Sequence, residues 1–375
     1  MKIAIAIDSF KGSLSSAEAG KAVCEGIKRV YKDADIKIFP VADGGEGTVS
    51  ALVSGTGGQK KAVTVGDPLN REIKCEYGIV NNMAIIEIAA SAGITLLKKE
   101  ELNPLYTTTF GVGEIIKDAI KNGCCDFIIG LGGSATNDGG IGMLQALGFE
   151  ILDNDGNQVE FGARGLEKVS VISDNKIIPE LRKSNFTIVC DVENPLYGEN
   201  GASKVFASQK GADGKTIEKM DIWMQNYAKA VKKYNKGANP NAHGSGAAGG
   251  LGFAFMSFLS GKLEKGIDMV LDLVCIEDDI KDADFVVTGE GRLDRQSVMG
   301  KAPVGIAKIA KKYGKPVIAF AGCIGKEAYL CNDYGIDAFF PILRNVCTLD
   351  EAMKKENAYN NLSDTAEQVF RLLRV

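Results

Sequence analysis

Along this chain, short apolar runs stop at glycine or at a carboxylate, and most are followed by a stretch with helical spacing. Residues 2–7 form the first such run and end at Asp8. A brief run rich in β-branched residues predicts a buried strand. Ser15 with Glu18 makes a capping box for a helix reaching about residue 31. Further strands are predicted over residues 36–41, 62–65, 73–80, 83–88, 127–129, 186–190, 283–287, 317–321 and 338–341. Asn81-Asn82 supplies a tight hairpin turn between two of them. Helical spacing covers residues 111–121, the series Ile141, Leu144, Leu147, residues 217–234 with the single tryptophan Trp223 as core or interface, and stretches beginning near 302, 326 and 350. Residues 152–184 are loop-rich. Strand and helix alternate at both ends of the chain, which predicts an α/β fold with a largely parallel sheet.

One stretch organises the rest. Phe127-Ile128-Ile129 runs into Gly130-Leu131-Gly132-Gly133-Ser134-Ala135-Thr136-Asn137-Asp138-Gly139-Gly140, after which helical spacing begins. A strand that breaks into glycine and then opens a helix brings bare peptide N–H groups against a phosphate. Ser134, Thr136 and Asn137 add side-chain donors, while Asp138 can hold a cation or cap the helix. A plain glycine-rich turn capped by Asp138 is the alternative; the interleaved polar groups favour a binding site.

Composition sharpens this. With 375 residues the chain can carry two domains, each with its own core. Glycine reaches 45 residues, or 12%, against a usual ~7%. The excess sits in a few loops, which points to backbone-lined sites. A net charge of −4 without a basic block argues against nucleic acid as a partner. Phosphates on a substrate must then meet local cations, metal ions and N–H groups. Nine cysteines without a Cys-x-x-Cys pair suit a reducing compartment, and one histidine, His243, offers no zinc-ligand spacing. The apolar start is too short for a signal peptide, and no run approaches the ~20 apolar residues of a membrane span. The expectation is a cytoplasmic protein with no membrane partner.

Other strand ends carry chemistry too. Ligands of open parallel sheets collect past the carboxyl ends of strands, where Asp8, Ser9 and Lys11 lie. Lys11 can neutralise a carboxylate or phosphate, and Asp8 can bind a metal or a hydroxyl; a surface loop would carry such residues as well. Asp43 and Glu46 stand among glycines after the second strand, and Asp191 follows residues 186–190. Glu87 interrupts an apolar run, so it is either paired or functional. The loop from Thr288 to Ser297 mixes Glu290, Arg292 and Asp294, although Lys301 beyond it lacks the Walker context. Gly244, Gly246 and Gly249 form a formal G-x-G-x-x-G, but no strand precedes it; an anion loop or close helix packing fits better than a nicotinamide fingerprint. No G-x-S-x-G elbow supports a serine hydrolase. Carboxylates beside Gly, Ser, Thr or Lys at six strand ends, with histidine nearly absent, fit metal-assisted phosphoryl transfer with a carboxylate as base.

The segments Asp8 to Ser15, Val41 to Thr48, Gly132 to Gly140, Cys190-Asp191-Val192 with Asn194-Pro195-Leu196, and Thr288 to Gly291 with Asp294 closely resemble the bacterial type I glycerate kinases, and the resemblance spans the chain. It implies ATP-dependent phosphorylation of D-glycerate with Mg²⁺, giving 2-phosphoglycerate in preference to 3-phosphoglycerate. It also implies two α/β domains with the active site between them. One is discontinuous, flavodoxin-like and built on a parallel sheet from residues 1–80 and 283–375. The other, residues 81–282, is inserted and carries the phosphate loop. In that scheme Gly132, Gly133, Ser134, Ala135, Thr136, Asn137, Asp138 and Gly139 hold the ATP phosphates, and Asp138 and Asp191 lie at the metal. Asp8, Ser9, Lys11, Asp43 and Arg292 face glycerate, with Lys11 and Arg292 for its carboxylate. Asp191 and Asp294 compete for the part of base, and Lys11 completes the catalytic set. Two rivals are an NAD-dependent dehydrogenase using the Gly244–Gly249 loop and a non-catalytic small-molecule binding protein. The sequence carries no sign of oligomeric state.

Overall fold

The structure, a computed structural model, describes residues 1–42, 47–264, 266–273 and 275–375, without the side chains of 267, 268 and 272. Asp43 and Glu46 lie outside the described residues. In chain order the strands are β1 (Lys2–Ile7), β2 (Asp35–Ile38), β3 (Gln59–Gly66), β4 (Glu72–Val80), β5 (Met83–Glu87) and β6 (Asp126–Gly130). They continue with β7 (Glu150–Leu152), β8 (Val171–Ser173), β9 (Asn185–Val189), β10 (Lys262–Glu264), β11 (Phe285–Leu293), β12 (Val317–Ile324) and β13 (Ala338–Pro341). The chain is mixed α/β and divides into two compact units: Met1–Asp43, Ser50–Gly57 and Lys265–Val375 form the first, and Gly44–Val49 with Gly58–Glu264 the second.

The first unit is built on a sheet of order β13-β12-β11-β1-β2, parallel throughout. Counted within the unit this is the order 2-1-3-4-5 of flavodoxin-like folds, whose switch point lies between the first and third strands, here β1 and β11. β1 is buried along its length after Lys2, as a central parallel strand covered on both faces must be. Ser15 caps the helix Ser16–Lys28 through the full capping box: its hydroxyl accepts from the Glu18 N–H at 3.3 Å, and Glu18 accepts from the Ser15 N–H at 3.0 Å. That helix lies against the C-terminal helix Lys355–Leu372 so closely that a Cβ on Gly26 would stand 2.1 Å from the Ser363 carbonyl oxygen. Ile5, Ile27, Val287, Phe320, Leu362 and Phe370 share the core between sheet and helices.

The second unit has the sheet β10-β9-β6-β5-β4-β3, whose first four strands are parallel and whose last two pair antiparallel. Asn81, at φ +54°, turns β4 into β5. A boundary at residue 80 therefore falls inside a hairpin, and hydrogen bonding carries β3 and β4 into the second unit's sheet. At the other end, the helices Gly266–Leu273 and Ile276–Asp282 belong to the first unit instead of the inserted one. Residues 152–184, expected as loop, supply β8, which pairs antiparallel with β7. Trp223 is partly buried against the core of this unit. Among the described residues no helix is long and apolar enough to cross a membrane.

Candidate functional site

In the first unit, a cavity of about 320 Å³ opens at the carboxyl ends of β1, β11 and β12, on the switch point of the sheet. The Asp8 N–H donates to the Gly289 carbonyl at 2.9 Å, which locks the end of β1 to β11 and sets Asp8 on the cavity wall, only 3% exposed. Its Oδ1 accepts from the Ser9 N–H at 2.6 Å. The chain then closes on itself: Phe10 and Leu14 exchange both backbone hydrogen bonds, with Gly12 at φ +78° inside the turn. This turn presents Ser9, Lys11 and Ser13 to the cavity.

Opposite stands Glu290, 5% exposed, on the late part of β11. Ser297 donates its hydroxyl to Oε1, and the Lys301 ammonium lies 3.2 Å from Oε2. Burial pushes the Glu290 carboxyl above the usual range, and Lys301 with Ser297 pulls partly the other way. Arg292 and Lys301 add positive charge to the same wall. Ile342, Leu343, Leu349 and Met353 close the far side.

Asp8, Ser9, Lys11 and Arg292 thus meet around one cavity, joined by two residues not singled out for it, Glu290 and Lys301. Asp294 does not line it. Its carboxylate is taken by the Arg292 Nε at 3.1 Å and the Gln296 N–H at 2.8 Å, and its own N–H donates to the Ser297 hydroxyl at 3.1 Å. The Asp294 backbone therefore orients the serine that bonds Glu290, while its carboxylate holds Arg292.

In the second unit, β6 ends at Gly130 and the glycine stretch follows. Only Gly132 and Gly133 are exposed; Ser134 to Gly140 are buried. Asp138 has no exposed surface, and four donors surround its carboxylate: the Thr109 N–H and hydroxyl at 2.9 Å, the Gly140 N–H at 3.0 Å and the Gly142 N–H at 3.3 Å. Oδ2 accepts three of these and Oδ1 one, so the fully buried Asp138 serves to hold the loop and the start of the helix Ile141–Ala146. The Asn137 amide donates to the Ser203 hydroxyl at 2.9 Å, again inward.

Beside Gly132–Ser134 lies a cavity of about 360 Å³, whose wall includes Val192, Gln209, Lys210 and Ala248. Asp191 is exposed just past the end of β9, the strand next to β6. Lys210 is 2% exposed and donates to the Ser134 hydroxyl at 2.9 Å and to the Thr136 carbonyl at 2.6 Å. Its burial was invisible in a polar, glycine-rich segment. Glu87 is accounted for by pairing, since its Oε1 accepts from the Val49 N–H at 2.7 Å.

The G-x-G-x-x-G segment is a packing surface. The helix Ala247–Phe258 begins in it, through three successive left-handed residues, Ala248, Gly249 and Gly250. A Cβ on Gly249 would stand 2.1 Å from the Thr136 carbonyl oxygen, and one on Gly246 2.3 Å from that of Pro195. The Gly139 N–H donates to the Gly249 carbonyl at 2.9 Å. These glycines let a helix press on the back of the Gly132–Gly140 stretch, which removes the basis of a dehydrogenase reading.

Comparison with known proteins identifies the family. Residues 3–374 match the glycerate kinase family. The chain is 42% identical to glycerate 2-kinase of Escherichia coli (strain K12), over all of this chain and 98% of that one, and 44% identical to glycerate kinase of Haemophilus influenzae, over 100% and 99%. A crystal structure from Salmonella typhimurium LT2, named as a candidate glycerate kinase 2, superposes with a TM-score of 0.91 at 41% identity, covering 100% of this chain and 98% of that one. The chain belongs to the glycerate kinase family, and so to the phosphotransferases.

Proposed function

We propose that this protein transfers the γ-phosphoryl group of ATP to the 2-hydroxyl of D-glycerate, giving 2-phosphoglycerate, with Mg²⁺. The observation that carries the reading is the cavity of the first unit, where two buried carboxylates, Asp8 and Glu290, face the cations Lys11, Arg292 and Lys301. A small hydroxy acid needs both: cations for its carboxylate and acceptors for its hydroxyls. Lys11 and Arg292 bind the carboxylate, while Asp8 accepts from a hydroxyl. Glu290 takes the proton of the reacting hydroxyl, because burial has raised its proton affinity in the direction a general base requires. Asp294 acts as a positioning residue, its backbone N–H through Ser297 and its carboxylate through Arg292.

The donor set of the second unit fits a polyphosphate, with exposed peptide groups at Gly132 and Gly133 beside the buried Lys210 amine. ATP supplies the phosphoryl group, and Mg²⁺ neutralises phosphate charge. Magnesium commonly takes one or two carboxylates plus phosphate oxygens, a part that surface-exposed Asp191 suits better than fully buried Asp138. The name of the Escherichia coli relative, glycerate 2-kinase, supports the 2-hydroxyl as acceptor. Nine unbridged cysteines suit a cytoplasmic setting.

A coupled ADP-release assay over small hydroxy acids and sugar acids, followed by phosphorus NMR of the product, tests this. D-glycerate should turn over fastest and yield an ester at carbon 2. Faster turnover of another acid, or an ester at carbon 3, would overturn the assignment.

A further inference from the structure

We propose that Lys210 is the cation that receives the nucleotide's polyphosphate at the Gly132–Ser134 loop. The proposal deepens the assignment of that loop to ATP and rests on it.

Lysine is almost never fully buried unless paired. Here the ammonium's two hydrogen-bond partners, the Ser134 hydroxyl and the Thr136 carbonyl, are both neutral. Among the described residues no carboxylate forms a salt bridge with it. An ammonium has three protons to donate, and those two acceptors take two of them. The side chain lies in the wall of the cavity that Gly132, Gly133 and Ser134 also line. Its backbone is fixed by the short turn Ser208–Lys210 and by Gly211, at φ +96°, where a Cβ would stand 2.0 Å from the Leu102 carbonyl oxygen. The molecule therefore holds an amine, without a balancing anion in bonding contact, against the exposed glycines of the loop. Charging such a buried amine is expensive unless compensated, so burial favours its neutral form. An arriving phosphate supplies the compensation.

Desolvation pulls the amine down to about 7, and the charge of buried Asp138 works against that pull. The Tyr227 phenol, buried and raised by its surroundings, stays neutral. Phosphate beside Lys210 would raise the amine's proton affinity again, so binding should draw in a proton. In P-loop proteins the phosphate lysine belongs to the loop motif itself; here it enters from 76 residues downstream of Ser134.

Titration calorimetry with ATP and with adenosine, on the wild type, Lys210→Met and Gly133→Ala, decides the matter. Lys210→Met should weaken ATP binding about 10- to 100-fold, in line with one lost charge-assisted hydrogen bond. It should leave adenosine affinity and the KM for glycerate within twofold, and melt no lower than the wild type. Lys210→Arg should restore part of the ATP affinity. The unaltered protein gives an independent reading: at pH 8, ATP binding measured in buffers of different ionisation enthalpy should take up protons, and the uptake should vanish in Lys210→Met. Wild-type ATP affinity in Lys210→Met together with weakened binding in Gly133→Ala would overturn the role of Lys210 alone. Unchanged affinity in both variants would overturn the loop assignment beneath it. Equal losses for ATP and adenosine, or no proton uptake by the wild type, would also reject the lysine.

Discussion

Both units place a cavity beyond the carboxyl ends of parallel strands, yet they build it from different material. In the first unit the wall is made of side chains: Asp8, Lys11, Glu290, Arg292 and Lys301 bring formal charge of both signs. In the second the exposed backbone of Gly132 and Gly133 stands beside one buried amine, and the remaining wall is largely apolar, with Ile94, Leu131, Val192 and Phe206. Side-chain charge suits a small, asymmetric anion whose carboxylate and hydroxyls must be told apart. Backbone donors suit a phosphate chain, where close approach matters more than discrimination. The contrast also separates how each site fails. A side-chain site loses chemistry when one functional group is removed, whereas a backbone site loses its shape when a methyl is added.

The largest expected effect tests the first half of that statement. Glu290→Gln should lower kcat about 10²- to 10⁴-fold, the usual contribution of a general base, with the KM for ATP little changed in steady-state assays. A base must be ionised to act, and Glu290 holds its proton to higher pH than an ordinary carboxyl. The wild-type kcat/KM should therefore fall as pH drops through that raised value, and the acid limb should disappear in the variant. Asp294→Asn should fall between wild type and Glu290→Gln, since its carboxylate reaches the cavity only through its ion pair with Arg292. Near-normal turnover of Glu290→Gln would remove the side-chain site from the comparison. Next, Gly249→Ala should destabilise the protein by about 2–4 kcal/mol in urea unfolding, through a left-handed backbone and a collision with Thr136. Stability unchanged alongside lost nucleotide binding would mean that this segment touches ligand directly. The smallest effect is a control that lines neither cavity. Ser15→Ala should cost about 1 kcal/mol by loss of the cap, with kinetics intact.

The same contrast explains what could be read before the structure was known. β1, β6 and β9 were legible within a residue or so, because buried parallel strands are short apolar runs with abrupt ends. The helix Ala247–Phe258 was not, since it is buried nearly all round and offers no polar face for periodicity to detect. Asp8, Ser9, Lys11 and Arg292 could be picked out because residue type carries their role. The glycine stretch was found, but which of its members reach the surface depends on packing from Lys210, Ser203 and Gly249, all distant in sequence. Glu290 sat in a recognised motif, yet its burial beside Lys301 is a tertiary fact. Asp138 looked like a metal ligand for the same reason: a sequence shows a carboxylate, not the four donors folded around it.

The pairing of Ile3 with Phe285 has a consequence for biosynthesis. β1 leaves the ribosome well before β11 and must await it, and at ~5–20 residues per second the wait is on the order of 15 to 55 s. Meanwhile Gly58–Glu264 is a nearly self-contained length of polypeptide that can collapse as it emerges. The newborn protein should thus pass through a half-finished stage carrying a greasy strand paired on one edge only, a natural client for a holding chaperone and the stage at which overproduction in a cell would most readily precipitate it.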